Sequence, residues 1–88
     1  MSIKIKLTLP LIRLAGNREK IDVTGTTVKE CLVDLVKKLP GAQAELYDSD
    51  GGFALLVLLN NDPLPDQNLN YPVKDNDEIW LLSIVSGG

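Results

Sequence analysis

Apolar and polar residues alternate at the start of the chain. Ile3, Ile5, Leu7 and Leu9 fall at period two with Lys4, Lys6 and Thr8 between them, which predicts a strand over residues 2–9 with one buried and one wet face. Pro10 cannot donate to a ladder and is expected to end or bulge that strand. Arg13-Leu14-Ala15-Gly16-Asn17 then supplies a turn into a second alternating stretch, Glu19 to Thr24, so that the two strands make an opening hairpin.

The period changes next. Thr27-Val28-Lys29-Glu30 has the form of a capping box, in which a hydroxyl and a carboxylate each satisfy a backbone donor left over at a helix start. Val28, Leu32, Leu35 and Leu39 follow at spacings of four, three and four, one apolar stripe on a helix that Leu39-Pro40-Gly41 terminates. Lys37 and Lys38 suit the negative end of its dipole. Residues 41–52 are mixed and polar, running into Asp48-Ser49-Asp50-Gly51-Gly52, and are expected to form a surface loop. Phe53 to Leu59 is almost wholly apolar between that loop and Asn60-Asn61-Asp62-Pro63, which predicts a strand with little exposure bounded by tight turns. An irregular stretch with Pro65 and Pro72 leads to a last strand, Asp77 to Val85, and then to Ser86-Gly87-Gly88.

Two strands, one helix, then two or more strands give an α+β class. One main helix packed across one face of a mixed sheet of four to five strands would bury its stripe against Ile3, Ile5, Leu7 and the Phe53 to Leu59 strand. That is the β-grasp, or ubiquitin-like, arrangement, expected as one domain over residues 1–84 with a flexible C-terminal tail, 85–88.

The 88 residues, 44% of them hydrophobic, suffice for one core. A formal net charge of -3 argues against binding nucleic acid, which requires clustered Lys and Arg. Cys31 is the single cysteine and histidine is absent, so neither a disulfide framework nor the commonest metal ligand and general base is available. Most hydrolytic and zinc chemistries are thereby excluded. Cys31 flanks the helix stripe with nothing to activate it and is expected to be a small buried residue. Asp48-Ser49-Asp50-Gly51 has part of a calcium-loop pattern, but Leu59 stands where the bidentate Glu belongs, and no metal site is expected. The pairs Asp48/Asp50 and Asp75/Asp77 sit in expected turns, where solvated charge is the default. The alternating start does not form a signal peptide, and no apolar run approaches the roughly 18 residues of a membrane span; the expected location is cytoplasmic, away from membranes.

Chemistry is expected at the Gly-Gly end. Two adjacent glycines there cost backbone entropy and cannot stabilise a fold. Lacking Cβ atoms, they could lie flat in a narrow channel, letting the Gly88 carboxylate approach a nucleotide phosphate, while Val85, Ser86 and Gly87 form the inserted lead-in. A carboxylate is a poor electrophile, so its use calls for activation, most simply adenylation, before a sulfur or other nucleophile attacks. No side chain is expected to be catalytic. If Ile79 and Leu81 face the core, Trp80 and Leu82 lie on the other face near the tail, a candidate docking surface for a partner; the alternative packs Trp80 beneath residues 61–72. Docking there would rest on apolar contact, with Asp75, Asp77 and Glu78 either meeting a basic rim or simply solvated.

Arg13-Leu14-Ala15-Gly16, Thr27-Val28 with Glu30 and Leu32, Leu59-Asn60 before Pro63, the run Val73-Lys74-Asp75-Asn76-Asp77-Glu78-Ile79, and Val85-Ser86-Gly87-Gly88 together resemble the small subunit of molybdopterin synthase, over nearly the whole chain. Ser83-Ile84 depart from the proline pair usual in those subunits, and Leu9-Pro10 from their aromatic-rich first strand. The resemblance implies a sulfur carrier. An E1-like adenylating enzyme would spend ATP on Gly88, a sulfur donor protein would convert it to a thiocarboxylate, and the large subunit of molybdopterin synthase, or an equivalent sulfur acceptor, would take that sulfur for the molybdenum or tungsten cofactor. The carrier itself would hold no permanent cofactor and would not be an enzyme. Related thiazole-synthesis carriers, ubiquitin-like modifiers joined through Gly88 to lysines, and a plain interaction domain remain alternatives.

Overall fold

The computed structural model describes residues 3–47 and 50–83. The expected tail, Val85 to Gly88, lies outside the described residues, as do Ile84 at the end of the expected last strand, the first two residues, and Asp48-Ser49 of the calcium-like segment.

Five strands form one mixed sheet: β1 (Ile3–Lys6), β2 (Lys20–Val23), β3 (Leu55–Leu59), β4 (Asp62–Pro63) and β5 (Glu78–Ser83), in the order β2-β1-β5-β3-β4. β1 runs antiparallel to β2, with Ile5 opposite Ile21, and parallel to β5, with Lys6 beside Trp80. β3 is antiparallel to β5, with Leu58 opposite Trp80 and Leu56 opposite Leu82. The last strand is thus the central one, flanked by the first and the third. Asn60 and Asn61, both at positive φ (50° and 76°), make the tight turn from β3 to β4, a conformation that asparagine tolerates better than most residues.

Helix α2 (Val28–Lys38) lies where the stripe predicted. Val28, Cys31, Leu32 and Leu35 are buried with Ile3, Ile5, Val57, Ile79 and Leu81 in one core, and Leu39, at the helix end, packs against it half-buried. The N-terminal cap differs from the expected box by one residue. The Thr27 hydroxyl accepts the Glu30 N–H at 3.1 Å, but the Glu30 carboxylate reaches past Thr27 to the N–H of Thr26 at 2.7 Å and its hydroxyl at 2.8 Å.

Two short helices replace expected irregular chain. Helix α1 (Leu9–Leu14) begins where the first strand was expected to continue. Pro10 opens that helix, where its missing N–H costs nothing, and the turn at Ala15 to Asn17 follows instead of starting at Arg13. Helix α3 (Ala42–Leu46) occupies part of the expected surface loop, burying Ala42 and Leu46 at the i, i+4 spacing. β3 is also less enclosed than its composition suggested, since Leu55 and Val57 are buried while Leu56, Leu58 and Leu59 are half-buried. Among the described residues no helix is long and apolar enough to cross a membrane.

Candidate functional site

Period-two alternation along β5 settles which side chains face outward. Ile79 and Leu81 are buried at 0% and 2% exposure, so Glu78, Trp80 and Leu82 project from the opposite face of the sheet. Trp80 is half-buried and Leu82 is 40% exposed. Cross-strand register brings Leu58 beside Trp80 and Leu56 beside Leu82, so both expected docking residues belong to a four-residue apolar patch on the open face. This is the side of the sheet away from the core, and the Leu82 end of the patch lies at the end of β5 from which the chain continues towards Val85, Ser86, Gly87 and Gly88.

Sequence reasoning did not find the charged groups that frame this patch. The Lys6 ammonium sits 4.1 Å from the centroid of the Trp80 ring. The indole N–H of Trp80 donates to Glu78 Oε1, and the other Glu78 oxygen accepts Lys20 Nζ at 3.0 Å. Hydrogen bonding by the indole N–H and by Lys20 holds the Glu78 carboxyl below the usual carboxylate range, outweighing a small opposing effect of burial. Further along, Lys4 pairs with Asp22 at 3.1 Å. The available signal was period two on the first strand, which puts Lys4 and Lys6 on the wet face; what was missing was the parallel pairing that sets Lys6 next to Trp80.

The expected acidic rim is altered. Asp77 is 7% exposed, with one oxygen accepting the Asn60 side-chain amide at 2.9 Å and the other the Lys74 N–H at 2.9 Å. It is a turn-forming carboxylate that ties the start of β5 to the end of β3, not a solvated charge. Asp75 remains exposed. A cavity of about 440 Å³ opens beside Asp77, lined by Asn60, Pro63, Tyr71, Pro72 and Lys74, at the far end of β5 from Ser83, about 17 Å away along the strand. Among the described residues no cluster of three or more Cys, Asp or Glu is placed to hold a metal.

Cys31 lies on α2 at 0% exposure. Burial, reinforced by the negative charges of Asp34, Glu30 and Asp77, pushes its thiol up to about 11, so a nucleophilic thiolate is not available there near neutral pH.

Solved structures share this architecture across the whole chain. Small archaeal modifier protein 1 from Haloferax volcanii superposes with a TM-score of 0.82 at 28% identity, covering 100% of both chains. A chain of the complex of subunits 1 and 2 of molybdopterin-converting factor from Helicobacter pylori gives 0.65 at 27% identity, again over 100% of both chains. The BexX/CysO complex of Amycolatopsis orientalis contains a chain that matches at 0.81, with 98% and 99% of the two chains covered; at 24% identity it supports the fold alone. No curated protein matches the sequence. A family model, by contrast, matches residues 5–88 and so takes in the central strand, the Lys74 to Ile79 turn and both final glycines: the chain belongs to the ThiS family of ubiquitin-like sulfur carriers.

Proposed function

We propose that this sulfur carrier works through Gly88 in the assembly of molybdopterin, as a substrate of enzymes and at most a non-catalytic subunit of one. The observation that carries the reading is the family match, which extends unbroken from β1 through Ser86-Gly87-Gly88. The likeness to molybdopterin-converting factor over the full length of both chains supports the choice of pathway, as do the Lys74-Asp75-Asn76-Asp77-Glu78 turn and the Ser-Gly-Gly end.

The chemistry proceeds in three steps. A Gly88 carboxylate oxygen attacks the α-phosphate of ATP in an adenylating enzyme, forming the acyl adenylate and releasing pyrophosphate. A sulfur donor delivers sulfur at the sulfide level to the acyl carbon and AMP departs, leaving a thiocarboxylate. That sulfur attacks an electrophilic carbon of the acceptor's precursor in a large-subunit pocket and displaces an oxygen leaving group from it; water then hydrolyses the resulting thioester, restoring the Gly88 carboxylate and leaving the sulfur on the precursor as a thiol. Val85, Ser86 and Gly87 serve as the inserted lead-in, and the patch of Trp80 and Leu82 as the docking face. An apolar patch at the end of β5 from which the chain runs on to Gly88 suits this division, because the folded body would supply binding area and the last residues reach.

A second reading rests on the likeness to small archaeal modifier protein 1: attachment through Gly88 to lysines of other proteins. Intact-mass analysis of the protein from its native host separates the two. Replacement of one terminal oxygen by sulfur supports the carrier, and Gly-Gly remnants on lysines after tryptic digestion support the modifier. Deleting Gly87-Gly88 should abolish adenylation without lowering the thermal midpoint. Adenylation that survives the deletion would refute the assignment to Gly88.

A further inference from the structure

The open face pairs its charges unevenly. Lys4 is matched by Asp22 at 3.1 Å and Lys20 by Glu78 at 3.0 Å. Lys6 enters no ion pair among the described residues, and its ammonium rests over the Trp80 ring instead. The indole is fixed from two directions, by the cation above its face and by the hydrogen bond from its edge to Glu78, itself anchored by Lys20. Such an aromatic enters an interface with little freedom left to lose, which favours tight docking. Any side chain that covers Trp80 must also strip water from Lys6. The nearby Glu78 carboxylate feels the Lys6 charge but spends its oxygens on Lys20 and Trp80, so a partner offering only apolar or basic groups would leave a desolvated ammonium with no anion in direct contact, a penalty that selects against it.

We propose that Glu78 positions the Trp80 indole as a docking anchor, and that the protein engaging this face presents a carboxylate to Lys6 beside an apolar side chain seated on Leu56 and Leu82. The inference rests on the carrier reading and specifies the chemistry of the partner. Of the three acids that could have met a basic partner rim or simply been solvated, Asp77 is buried in its turn and Glu78 is committed to Lys20 and Trp80, which leaves Asp75 alone exposed. Lys6 is then the charge that discriminates among partners, and Glu78 acts through Trp80 without touching the reacting carboxylate.

The test uses the full chain with the adenylating enzyme of the same host, following ATP–pyrophosphate exchange as a function of carrier concentration. Lys6→Met keeps the stem over the indole and removes the charge; it should raise KM by about tenfold, as expected for loss of a close interfacial charge pair, and leave kcat unchanged. Wild-type KM should climb with added sodium chloride, whereas that of Lys6→Met should stay flat. Glu78→Gln should raise KM and shift the Trp80 emission, a signature that a merely structural role for Glu78 would not produce; an unchanged KM and emission would overturn its positioning role. Lys6→Glu, whose fold is checked by its thermal midpoint, should weaken docking further than Lys6→Met. Equal KM values for wild type, Lys6→Met and Lys6→Glu would overturn the inference and leave the carrier reading intact. A KM rise in Lys6→Met with the wild-type salt dependence unchanged would also overturn it. Absence of exchange with the wild type would overturn both.

Discussion

The side-chain amide of Gln67 brackets the backbone of Val57, accepting its N–H at 2.8 Å and donating to its carbonyl at 3.2 Å. β4 is only Asp62–Pro63, too short to cover this edge of β3, so one side chain continues the ladder. The turn that aims it holds Asp66 and Gln67 at φ of 53° and 49°, a left-handed conformation that costs non-glycine residues energy and persists where the surroundings over-determine it.

Gln67→Leu should therefore destabilise the fold by about 1–3 kcal/mol, the cost of leaving the backbone N–H of Val57 unpaired, since the Val57 carbonyl keeps the Leu64 N–H as a donor at 3.3 Å. Urea unfolding measures the loss, and faster hydrogen exchange at the Val57 amide localises it. An unchanged Val57 exchange rate would show that β3 does not rely on Gln67.

The contrast between α2 and the two short helices shows what the sequence could convey. The stripe of Val28, Leu32, Leu35 and Leu39 runs over about three turns, enough for its period to be unmistakable, and Thr27 marks its start through a local hydrogen bond. α1 offers two turns at most. Its Leu9 completes an alternation that begins at Ile3, so strand periodicity runs on into a helix, and Pro10, which can equally end a strand, here opens a helix. The pair Leu11 and Ala15, both buried four residues apart, was the available sign. α3 was equally within reach, since Ala42 and Leu46 share that spacing and strong helix formers lie between them. The apolar patch on the open face divides the same way. Trp80 and Leu82 follow from period two within one strand. Their neighbours Lys6, Leu56 and Leu58 do not, because they arrive through pairings between distant segments that no local pattern encodes.

Leu35 tests the core that supports this face. It is fully buried on α2, and Leu35→Ala should cost about 2–5 kcal/mol, combining lost transfer energy with the cavity left behind. Val33, on the same helix at 47% exposure, should tolerate alanine within about 0.5 kcal/mol. Denaturant midpoints at unchanged slope compare the two, and similar losses would contradict the assigned faces of α2.

Cys31 provides a reporter of global opening. With its thiol buried and pushed up to about 11, the folded protein should resist alkylation at pH 8 and react once unfolded. Labelling should rise along the same urea curve as the loss of helical circular dichroism. Rapid labelling without denaturant would mean that α2 separates from the sheet on its own.

The carboxylates make stability depend on acid. Glu30 is lowered by the backbone N–H and then the hydroxyl of Thr26. At Asp34 burial works upward, but the Thr24 N–H, the hydrogen bond from Lys38 and the charges of Lys38 and Lys37 together prevail and lower it. Glu78 is lowered by the Trp80 indole and Lys20. Each group binds its proton more readily when unfolded than when folded, so the unfolded state holds more protons in acid and stability increases with pH. Their contribution is complete above the ordinary values of 4.5 for Glu and 3.8 for Asp and is lost as pH falls through the lower folded-state values. Cys31 has the opposite sign, since the unfolded thiol ionises near 9.0 and the folded one only near 11, so stability should fall again across that alkaline window. Urea midpoints at pH 7, 5 and 3 should therefore decline towards acid, with a shallower decline for Glu78→Gln than for the wild type. Added salt should flatten the decline in part, because these groups lie near the surface, where screening weakens their ion pairs. A Glu78→Gln midpoint that followed the wild type at every pH would show that Lys20 and Trp80 do not hold that carboxylate in its charged form.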